Sequence, residues 1–344
     1  MAQPIPRIGE ADALGASAPL RVGVIGVGRI GRMHAELLAA RVPGVALATV
    51  CDVAPDAARA VADQLGVDVA AGVDDVLGAE DVDAVAICSS TPSHADLIAR
   101  AAAAGKAILC EKPVSLDLGE LDRALAEVSR AGVPFQIGFN RRFDPAHQAV
   151  RDAVAGGAVG EPHLARISSR DPAPPPLEYS RVSGGLFLDM TVHDFDMARY
   201  VIGSEVTEVY ARGAVRITPE LATFGDADTA VVTLTHANGC LTVIDNSRQA
   251  VYGYDQRVEV FGSRGMVASE NPHEHTAVVR DADGTRLAAM PYFFLDRYLP
   301  AYIRQWEAFA ARRLPSASRT TALCSCGFSD ATMPLDPNTS TRWS

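Results

Sequence analysis

The first 140 residues alternate between short apolar runs and amphipathic stretches. The apolar runs predict strands at residues 21–25, 45–51, 83–88, 106–110 and 133–138. Helices are predicted between them, one ending near residue 40 and the others at 57–65, 93–104 and 118–131. Strands and helices that alternate in this way form a parallel sheet with helices on both faces.

After about residue 140 the pattern changes. Helices are predicted at 146–154 and 295–312, and strands at 164–168, 206–212, 229–235, 241–246, 257–261 and 277–280. Asn238-Gly239 is a strong hairpin signal, and residues 281–284 predict another turn. This half therefore predicts an α+β domain with a large, mostly antiparallel open sheet and helices on one side. A sheet with an uncovered face usually finds a partner, so we expect a homo-oligomer.

Residues 184–199, GGLFLDMTVHDFDMAR, predict a helix with two different faces. The first face has the i, i+4, i+7 spacing that packs on a core, and consists of Leu188, Val192 and Phe195. The second face has the same spacing and consists of Asp189, His193 and Asp196. A histidine that a nearby carboxylate orients can take a proton near pH 7. The alternative is a surface Asp/His pair that supports its own helix, with Asp189 as a helix cap.

A glycine-rich turn, GVGRIG at residues 26–31, follows the first predicted strand and opens a helix. Gly26 allows a tight turn, Gly28 lets the backbone approach a pyrophosphate, and Gly31 lets helix and strand pack closely. The helix N-terminus supplies N–H donors for phosphates. Asp52, at the end of the second strand, can accept the ribose hydroxyls and would repel a 2′-phosphate. The pattern predicts a Rossmann domain that binds NAD rather than NADP, although a plain turn without a ligand is the alternative.

Two further loops follow predicted strands, at the edge where open α/β sheets bind ligands. SSTPSH at 89–94 offers small hydroxyl residues against which a flat ring can lie. EKP at 111–113 places the Lys112 ammonium at the cleft, where it can stabilise an alkoxide or share its proton. A solvated surface lysine is the ordinary alternative. The predicted cofactor-binding residues are Gly26, Gly28, Arg29, Ile30, Gly31, Asp52, Ser89, Thr91, His94, Glu111 and Lys112.

Composition and charge argue against several classes of protein. A chain of 344 residues is long enough for two domains with a core in each. The net charge of −11 and a pI near 5.2 argue against nucleic acid or an anionic membrane as partner. The six cysteines show no zinc-like spacing, and we expect no metal. The chain opens without a signal-peptide pattern, and no stretch is apolar enough to span a bilayer, so we expect a cytoplasmic protein.

The predicted domain organisation has four parts. They are a flexible tail at 1–19, a dinucleotide-binding domain at 20–140, an α+β substrate and oligomerisation domain at 141–315, and an atypical tail at 316–344. The last segment is rich in Ser and Thr and has no helical period, so we expect it to contribute little to the core. The competing possibility is that residues 322–328 cover apolar surface on the first domain.

Over about residues 21–312 the chain resembles the glucose–fructose oxidoreductase/inositol dehydrogenase (GFO/IDH/MocA) family. The motifs that carry the resemblance are CEKP at 110–113, GFNRRFD at 138–144, SRDPAPPP at 169–176, SGG…DMTVHDFDMARY at 183–200 and NSRQAVYGYDQRVEVFGSRGM at 246–266. The last three look specific to inositol dehydrogenases. The resemblance implies a tetramer that binds NAD and a polyol, with Lys112, Asp189 and His193 as the catalytic set. It further implies substrate contacts from Arg141, Asp171 and Tyr254.

The implied reaction is hydride transfer coupled to proton transfer, here from myo-inositol to NAD. His193 would take the proton from the hydroxyl that is oxidised, and Lys112 would steady the negative charge on the oxygen. Asp189 would orient His193 and favour its charged form. The alternatives are a dehydrogenase for another polyol or sugar (scyllo-inositol, D-chiro-inositol or glucose) and a non-catalytic NAD-binding sensor.

Overall fold

The computed structural model describes residues 18–313, except residues 276 and 283. The predictions for the C-terminal tail, and for all but two residues of the N-terminal tail, lie outside the described residues.

Six parallel strands form the first sheet, in the spatial order β3-β2-β1-β4-β5-β6. The strands are β1 (Leu20–Ile25), β2 (Val45–Cys51), β3 (Asp68–Val69), β4 (Ala84–Ile87), β5 (Ala107–Cys110) and β6 (Phe135–Ile137). The helices between them are α1 (Arg29–Ala40), α2 (Pro55–Leu65), α3 (Val73–Gly78), α4 (His94–Ala103) and α5 (Leu118–Ala131). This strand order is that of a Rossmann fold, which confirms the predicted fold class of the first half.

The central strands of this sheet are buried on both faces, as their continuous apolar runs require. Alternate residues of β4 point to opposite sides: Ala86 packs in a core with α1 and α2, and Val85 packs in a core with α4. The first of these cores also contains Tyr298 and Trp306 from a helix at the end of the described chain, α9 (Phe294–Arg313). A segment that follows the second sheet in sequence therefore packs on the first.

The second sheet is mixed and mostly antiparallel, in the order β12-β11-β7-β10-β9-β8. Its strands are β7 (Pro162–Arg170), β8 (Val206–Ala214), β9 (Thr229–His236), β10 (Leu241–Ser247), β11 (Asp255–Gly262) and β12 (Gly265–Ser269). Only β7 and β10 pair in parallel, and the other four pairings are antiparallel. The β9–β10 hairpin turns at Gly239, with φ of +84°, as predicted. A separate hairpin joins β13 (Val278–Asp281) to β14 (Gly284–Leu287).

Two helices cover one face of the second sheet, namely α6 (Pro145–Ala155) and α8 (Val192–Ile202). A one-turn helix, α7 (Leu177–Ser180), precedes α8. The opposite face of the sheet carries exposed apolar side chains, including Tyr210, Val231, Leu241 and Phe261.

The predicted helix at 184–199 begins differently from a regular α-helix. Gly184 and Gly185 both have positive φ, and a π-helical turn at Phe187–Thr191 precedes α8. A π turn holds an extra residue and so rotates the side chains on either side of it relative to each other. The predicted core face is therefore only partly correct: Leu188 is 42% exposed and Val192 is partly buried, whereas Phe195 packs against the core of the second sheet. The fully buried core contacts of this segment come from Met190, Met197, Ala198, Val201 and Ile202.

Candidate active site

The glycine loop joins β1 to α1 at the carboxyl edge of the first sheet. At Gly26, where φ is +90°, an added Cβ would lie 2.6 Å from the backbone nitrogen of Ser89. At Gly31 it would lie 1.8 Å from the Gly26 carbonyl oxygen, whereas at Gly28 it would meet no atom within 4 Å. Gly28 thus faces open space, and α1 starts at Arg29 without a side-chain cap. The first N–H groups of α1 are therefore available for a phosphate.

Asp52 lies beside this loop, directly after β2. Its carboxylate accepts hydrogen bonds from the backbone N–H groups of Val27 (2.7 Å) and Ala54 (2.9 Å). These bonds fix the carboxylate next to the glycine loop, at the end of the strand where Rossmann domains carry the acidic residue for the ribose.

The loops after β4 and β5 are held together by His94. Its ring nitrogens lie 3.0 Å from the Ser89 carbonyl oxygen and 2.7 Å from that of Pro113. The Ser89 hydroxyl also contacts Ser93 (2.6 Å), and Thr91 begins the short 3-10 turn Thr91–Ser93. The SSTPSH and EKP loops thus form one wall at the same sheet edge as the glycine loop.

Glu111 contacts the protein interior through its side chain. Its Oε1 lies 2.9 Å from Nε2 of the buried His34, whose Nδ1 accepts a hydrogen bond from the Trp306 indole N–H. Because Trp306 belongs to α9, this chain of contacts ties the loop after β5 to the helix that closes the first core. The glycine loop, the Asp52 carboxylate and this wall together fit an NAD molecule.

Lys112 reaches across from the first sheet to the π turn of the second domain. Its ammonium donates to the backbone carbonyl oxygen of Asp189 at 2.8 Å and to the Asp189 carboxylate at 3.2 Å. Of the three N–H donors of an ammonium, one is left for another acceptor. The structure therefore brings two of the three predicted catalytic residues into direct contact.

The Asp189 carboxylate has two further partners that the sequence analysis missed. Tyr179 donates its hydroxyl to Oδ1 (2.8 Å), and Arg248 donates to Oδ2 (2.9 Å). Arg248 also donates to the carboxylate of Asp171 (3.1 Å), a predicted substrate contact. Burial alone would raise the pKa of Asp189, but the positive charges of Lys112 and Arg248 outweigh it and hold the pKa below its usual value. Asp189 is therefore a fixed, ionised acceptor at the centre of the site.

His193 lies at the start of α8, one turn beyond Asp189, but it does not pair with that carboxylate. Within the described part of the chain, its buried Nδ1 has no hydrogen-bond partner. Burial lowers the pKa of His193 well below its usual value, and the charges of Arg141 and Lys112 lower it further. The prediction that Asp189 orients His193 and favours its charged form is therefore wrong. The π turn and the three donors to Asp189 direct that carboxylate elsewhere, and His193 is neutral near pH 7.

Arg141 lies beneath the site in a buried polar network. It donates to Asp194 (2.7 Å) and to the hydroxyl of Ser169 (3.2 Å), and Asn246 donates to the other Asp194 oxygen (2.8 Å). Burial raises the pKa of Asp194 to about 6, against the lowering effect of Arg141. Tyr254 is buried nearby, with its ring edge-on to Tyr298 at 6.0 Å. Arg141 and Tyr254, two of the three predicted substrate contacts, are therefore both buried beside this polar network.

Asp196, placed by the sequence analysis on the face of His193, belongs to another contact. It forms a two-pronged ion pair with Arg142, with distances of 2.6 to 3.1 Å. That pair joins α8 to the segment after β6, which leaves Asp196 outside the catalytic cluster.

Two of the residues that the sequence did not reveal lie within the family motifs, and the third lies between two of them. Arg248 is in NSRQ, Asp194 is in TVHDFD, and Tyr179 comes shortly after the proline run at 172–176. Their partners lie 59, 53 and 10 residues away in sequence, beyond the spacing of one helix turn, so helix periodicity carries no signal for them.

Within residues 18–313, no helix is long and apolar enough to cross a membrane. In the same part of the chain, no group of three or more His, Cys, Asp or Glu side chains is arranged to hold a metal ion.

Sequence comparisons place this site in a known family. Residues 20–139 match the oxidoreductase family model with an NAD-binding Rossmann fold, and residues 147–268 match the GFO/IDH/MocA C-terminal domain. The chain is 50% identical to myo-inositol 2-dehydrogenase of Thermotoga maritima, over 84% of this chain and 87% of that protein. It is 45% identical to inositol 2-dehydrogenase of Rhizobium meliloti, over 85% and 88% of the two chains.

Solved structures agree with these sequence matches. A myo-inositol dehydrogenase from Corynebacterium glutamicum superposes with a TM-score of 0.81 at 40% identity, covering 85% of this chain and 88% of the other. A scyllo-inositol dehydrogenase from Lactobacillus casei, with bound NAD(H) and scyllo-inositol, gives 0.79 at 29% identity, with coverage of 85% and 88%. This chain is therefore an NAD-binding oxidoreductase and belongs to the GFO/IDH/MocA family.

Proposed function

We propose that this enzyme oxidises myo-inositol at carbon 2 to 2-keto-myo-inositol (scyllo-inosose), with NAD as the hydride acceptor, in inositol catabolism. The observation that carries the proposal is the cluster of Lys112, Asp189, Arg248 and Asp171 beside His193. A ring with a hydroxyl on every carbon needs several fixed donors and acceptors around a small cleft. The names of the relatives at 45–50% identity support the same substrate.

His193 is the proposed general base. Because its pKa is lowered well below the usual value, the ring is unprotonated near pH 7 and can accept the proton of the hydroxyl. Nδ1 is buried without a partner among the described residues, which leaves Nε2 for the substrate. Bound NAD supplies the nicotinamide carbon that takes up the hydride.

Lys112 is the proposed stabiliser of the oxygen. Two of its N–H donors are held by Asp189, so the third is fixed in direction rather than free to rotate. A fixed positive charge lowers the energy of an oxygen that becomes negative as its proton leaves. Asp171 and Asp189 would accept hydrogen bonds from other ring hydroxyls, and Arg141 and Tyr254 would complete the substrate site.

The cofactor contacts proposed for the loops are Gly26, Gly28, Arg29, Ile30, Gly31, Asp52, Ser89, Thr91, His94, Glu111 and Lys112. Asp52 would accept the ribose hydroxyls of NAD while keeping its bonds to the backbone, since a carboxylate has about four acceptor positions.

We also propose that the enzyme works as a homotetramer in the cytoplasm. The exposed apolar side chains on the outer face of the second sheet support an assembly through that face. The four described cysteines are free thiols, which fits a reducing compartment.

Oxidation of scyllo-inositol is the second candidate activity, because the similar Lactobacillus casei enzyme was crystallised with that substrate. Initial rates of NAD reduction with myo-inositol, scyllo-inositol, D-chiro-inositol and glucose test both. We expect the highest kcat/KM with myo-inositol. A higher value with another polyol would move the assignment to that substrate, and no reduction with any polyol would overturn the proposed activity.

A further inference from the structure

Arg248 lies directly after β10, with its guanidinium between two carboxylates. One terminal nitrogen donates to Asp171 Oδ2 (3.1 Å) and the other to Asp189 Oδ2 (2.9 Å). Its side chain is 7% exposed, and its backbone N–H donates to the Asp228 carbonyl oxygen (2.8 Å). The residue is thus held at both ends, and its charge faces into the proposed substrate site.

The two carboxylates differ in what else surrounds them. Asp189 has Lys112 and Tyr179 in addition to Arg248. Among the described residues, the Asp171 carboxylate receives its one hydrogen bond from Arg248, while the charge of Arg141 acts on it from below. Asp171 therefore depends on Arg248 more than Asp189 does.

Two carboxylates that face one small cleft repel each other unless a cation lies between them. Burial raises the pKa of Asp171, the charge of Asp189 adds to this, and Arg248 opposes both effects. Without the guanidinium, one of the two carboxyls would bind a proton at a higher pH than it does now. A protonated carboxyl presents a donor where the polyol needs an acceptor.

We propose that Arg248 is a positioning residue that fixes Asp171 and Asp189 side by side as a paired acceptor for two hydroxyls of the substrate. This inference rests on the proposed function, since it assigns the affinity for a polyhydroxylated ring to that pair. Arg248 itself does not contact the reacting carbon. It sets KM for the polyol rather than the rate of hydride transfer.

The geometry requires arginine at this position. A planar guanidinium offers separate N–H groups to two different carboxylates and keeps their spacing constant. A lysine ammonium at the same place is a point charge that would preserve neutralisation but not the spacing. Substitution of Arg248 by lysine therefore separates charge neutralisation from the fixed spacing of the two carboxylates.

The test compares Arg248→Met, Arg248→Lys and wild type, with Arg199→Met as matched control. Arg199 forms an ion pair with Glu205 (2.7 Å), away from the cluster. We expect Arg248→Met to raise KM for myo-inositol about tenfold or more near pH 7. This is the affinity that the loss of one hydrogen bond to a charged group typically costs. KM should fall back as pH rises and the carboxyl ionises, while Arg248→Lys should recover part of the affinity. The dissociation constant of NAD should stay unchanged in all of them.

A second readout needs no substrate. Carbon NMR of labelled Asp side chains should show a carboxyl in Arg248→Met that titrates at higher pH than in wild type, and Asp171→Asn in that background should remove it. An unchanged KM in Arg248→Met, or a KM increase that is equal at every pH and equal in the Lys variant, would overturn the proposal. If wild type reduces no NAD with any polyol, the proposed function fails, and the carboxyl titration then decides the role of Arg248.

Discussion

The glycine loop at residues 26–31 and the segment from Gly184 to Ile202 both contribute to the proposed active site. Their conformations, however, are determined by different kinds of contact. In the loop, Gly26 and Gly31 each have a steric reason in the backbone, such as the 1.8 Å approach at Gly31, and Gly28 faces open space. In the segment, the faces depend on a π turn and on partners from distant strands and loops. Local backbone constraints can be inferred from sequence spacing, whereas a network of long-range ion pairs cannot.

Among the substitutions that test this difference, His193→Ala has the largest expected effect on kcat. His193→Ala should lower kcat by about a hundredfold or more, because a positioned general base contributes that range. NAD affinity should persist, since the glycine loop is untouched. Steady-state NADH formation and an NAD binding titration measure the two quantities.

The matched control is His163→Ala, an exposed histidine on β7 whose ring faces Phe261 at 5.9 Å; it should leave kcat unchanged. Turnover of His193→Ala close to that of wild type would make Lys112 the candidate base instead.

The pH dependence of the wild-type rate tests the protonation state of His193. Neutral His193 is the active form, and its pKa is lowered by burial. Protonation of His193 should therefore begin to reduce kcat only below the ordinary titration range of histidine, near pH 6.5. A pH–rate profile that loses activity around that value through His193 would contradict the neutral, unpaired imidazole.

The glycine loop can be tested with a matched pair of substitutions. Gly31→Ala should destabilise the fold by about 2 kcal/mol or more, because its Cβ would collide with the Gly26 carbonyl. Gly28→Ala should fold normally, since its Cβ meets no atom within 4 Å, but should weaken NAD binding where the backbone approaches the pyrophosphate. Thermal melts and NAD titrations separate the two results. Equal destabilisation in both variants would show that the steric contact at Gly31 does not determine which glycine the fold needs.

Asp52 should control the choice between NAD and NADP. Asp52→Ser should narrow the preference for NAD, because it removes the charge that repels a 2′-phosphate. Asp52→Asn is the control for its structural role, because an amide oxygen can still accept from Val27 or Ala54. The ratio of kcat/KM for the two cofactors is the measurement, and a wild type that favours NADP would refute the assignment.

Tyr179 gives the smallest expected effect. Tyr179→Phe removes one of the donors to Asp189, but Lys112 and Arg248 remain. The side chain is also 47% exposed, so water can replace the hydroxyl. We expect KM for myo-inositol to rise about two- to fivefold with little change in kcat, the cost of one partly solvated hydrogen bond. Tyr210→Phe, on the outer face of the second sheet, should change neither value.

The sequence predicted the parallel sheet well because buried apolar strands and glycine turns are local features. It missed β3 (Asp68–Val69), which has two exposed residues and no apolar run. It also missed α3 (Val73–Gly78), a six-residue helix too short for a clear period. In the site, Lys112 and Asp189, two members of the predicted catalytic set, are in direct contact. The Asp189 carboxylate is instead held by Arg248 and Tyr179, which lie 59 and 10 residues away in sequence, so the spacing of Asp189 and His193 along the helix carried no sign of these contacts.

Hydride transfer from carbon 2 of myo-inositol to NAD can be tested by following the hydrogen that leaves the substrate. Myo-inositol deuterated at carbon 2 is incubated with enzyme and NAD, and the nicotinamide product is examined by mass spectrometry and proton NMR. We expect the deuterium to appear on the nicotinamide ring of NADH and the labelled substrate to react more slowly. Formation of NADH without deuterium would contradict hydride transfer from carbon 2.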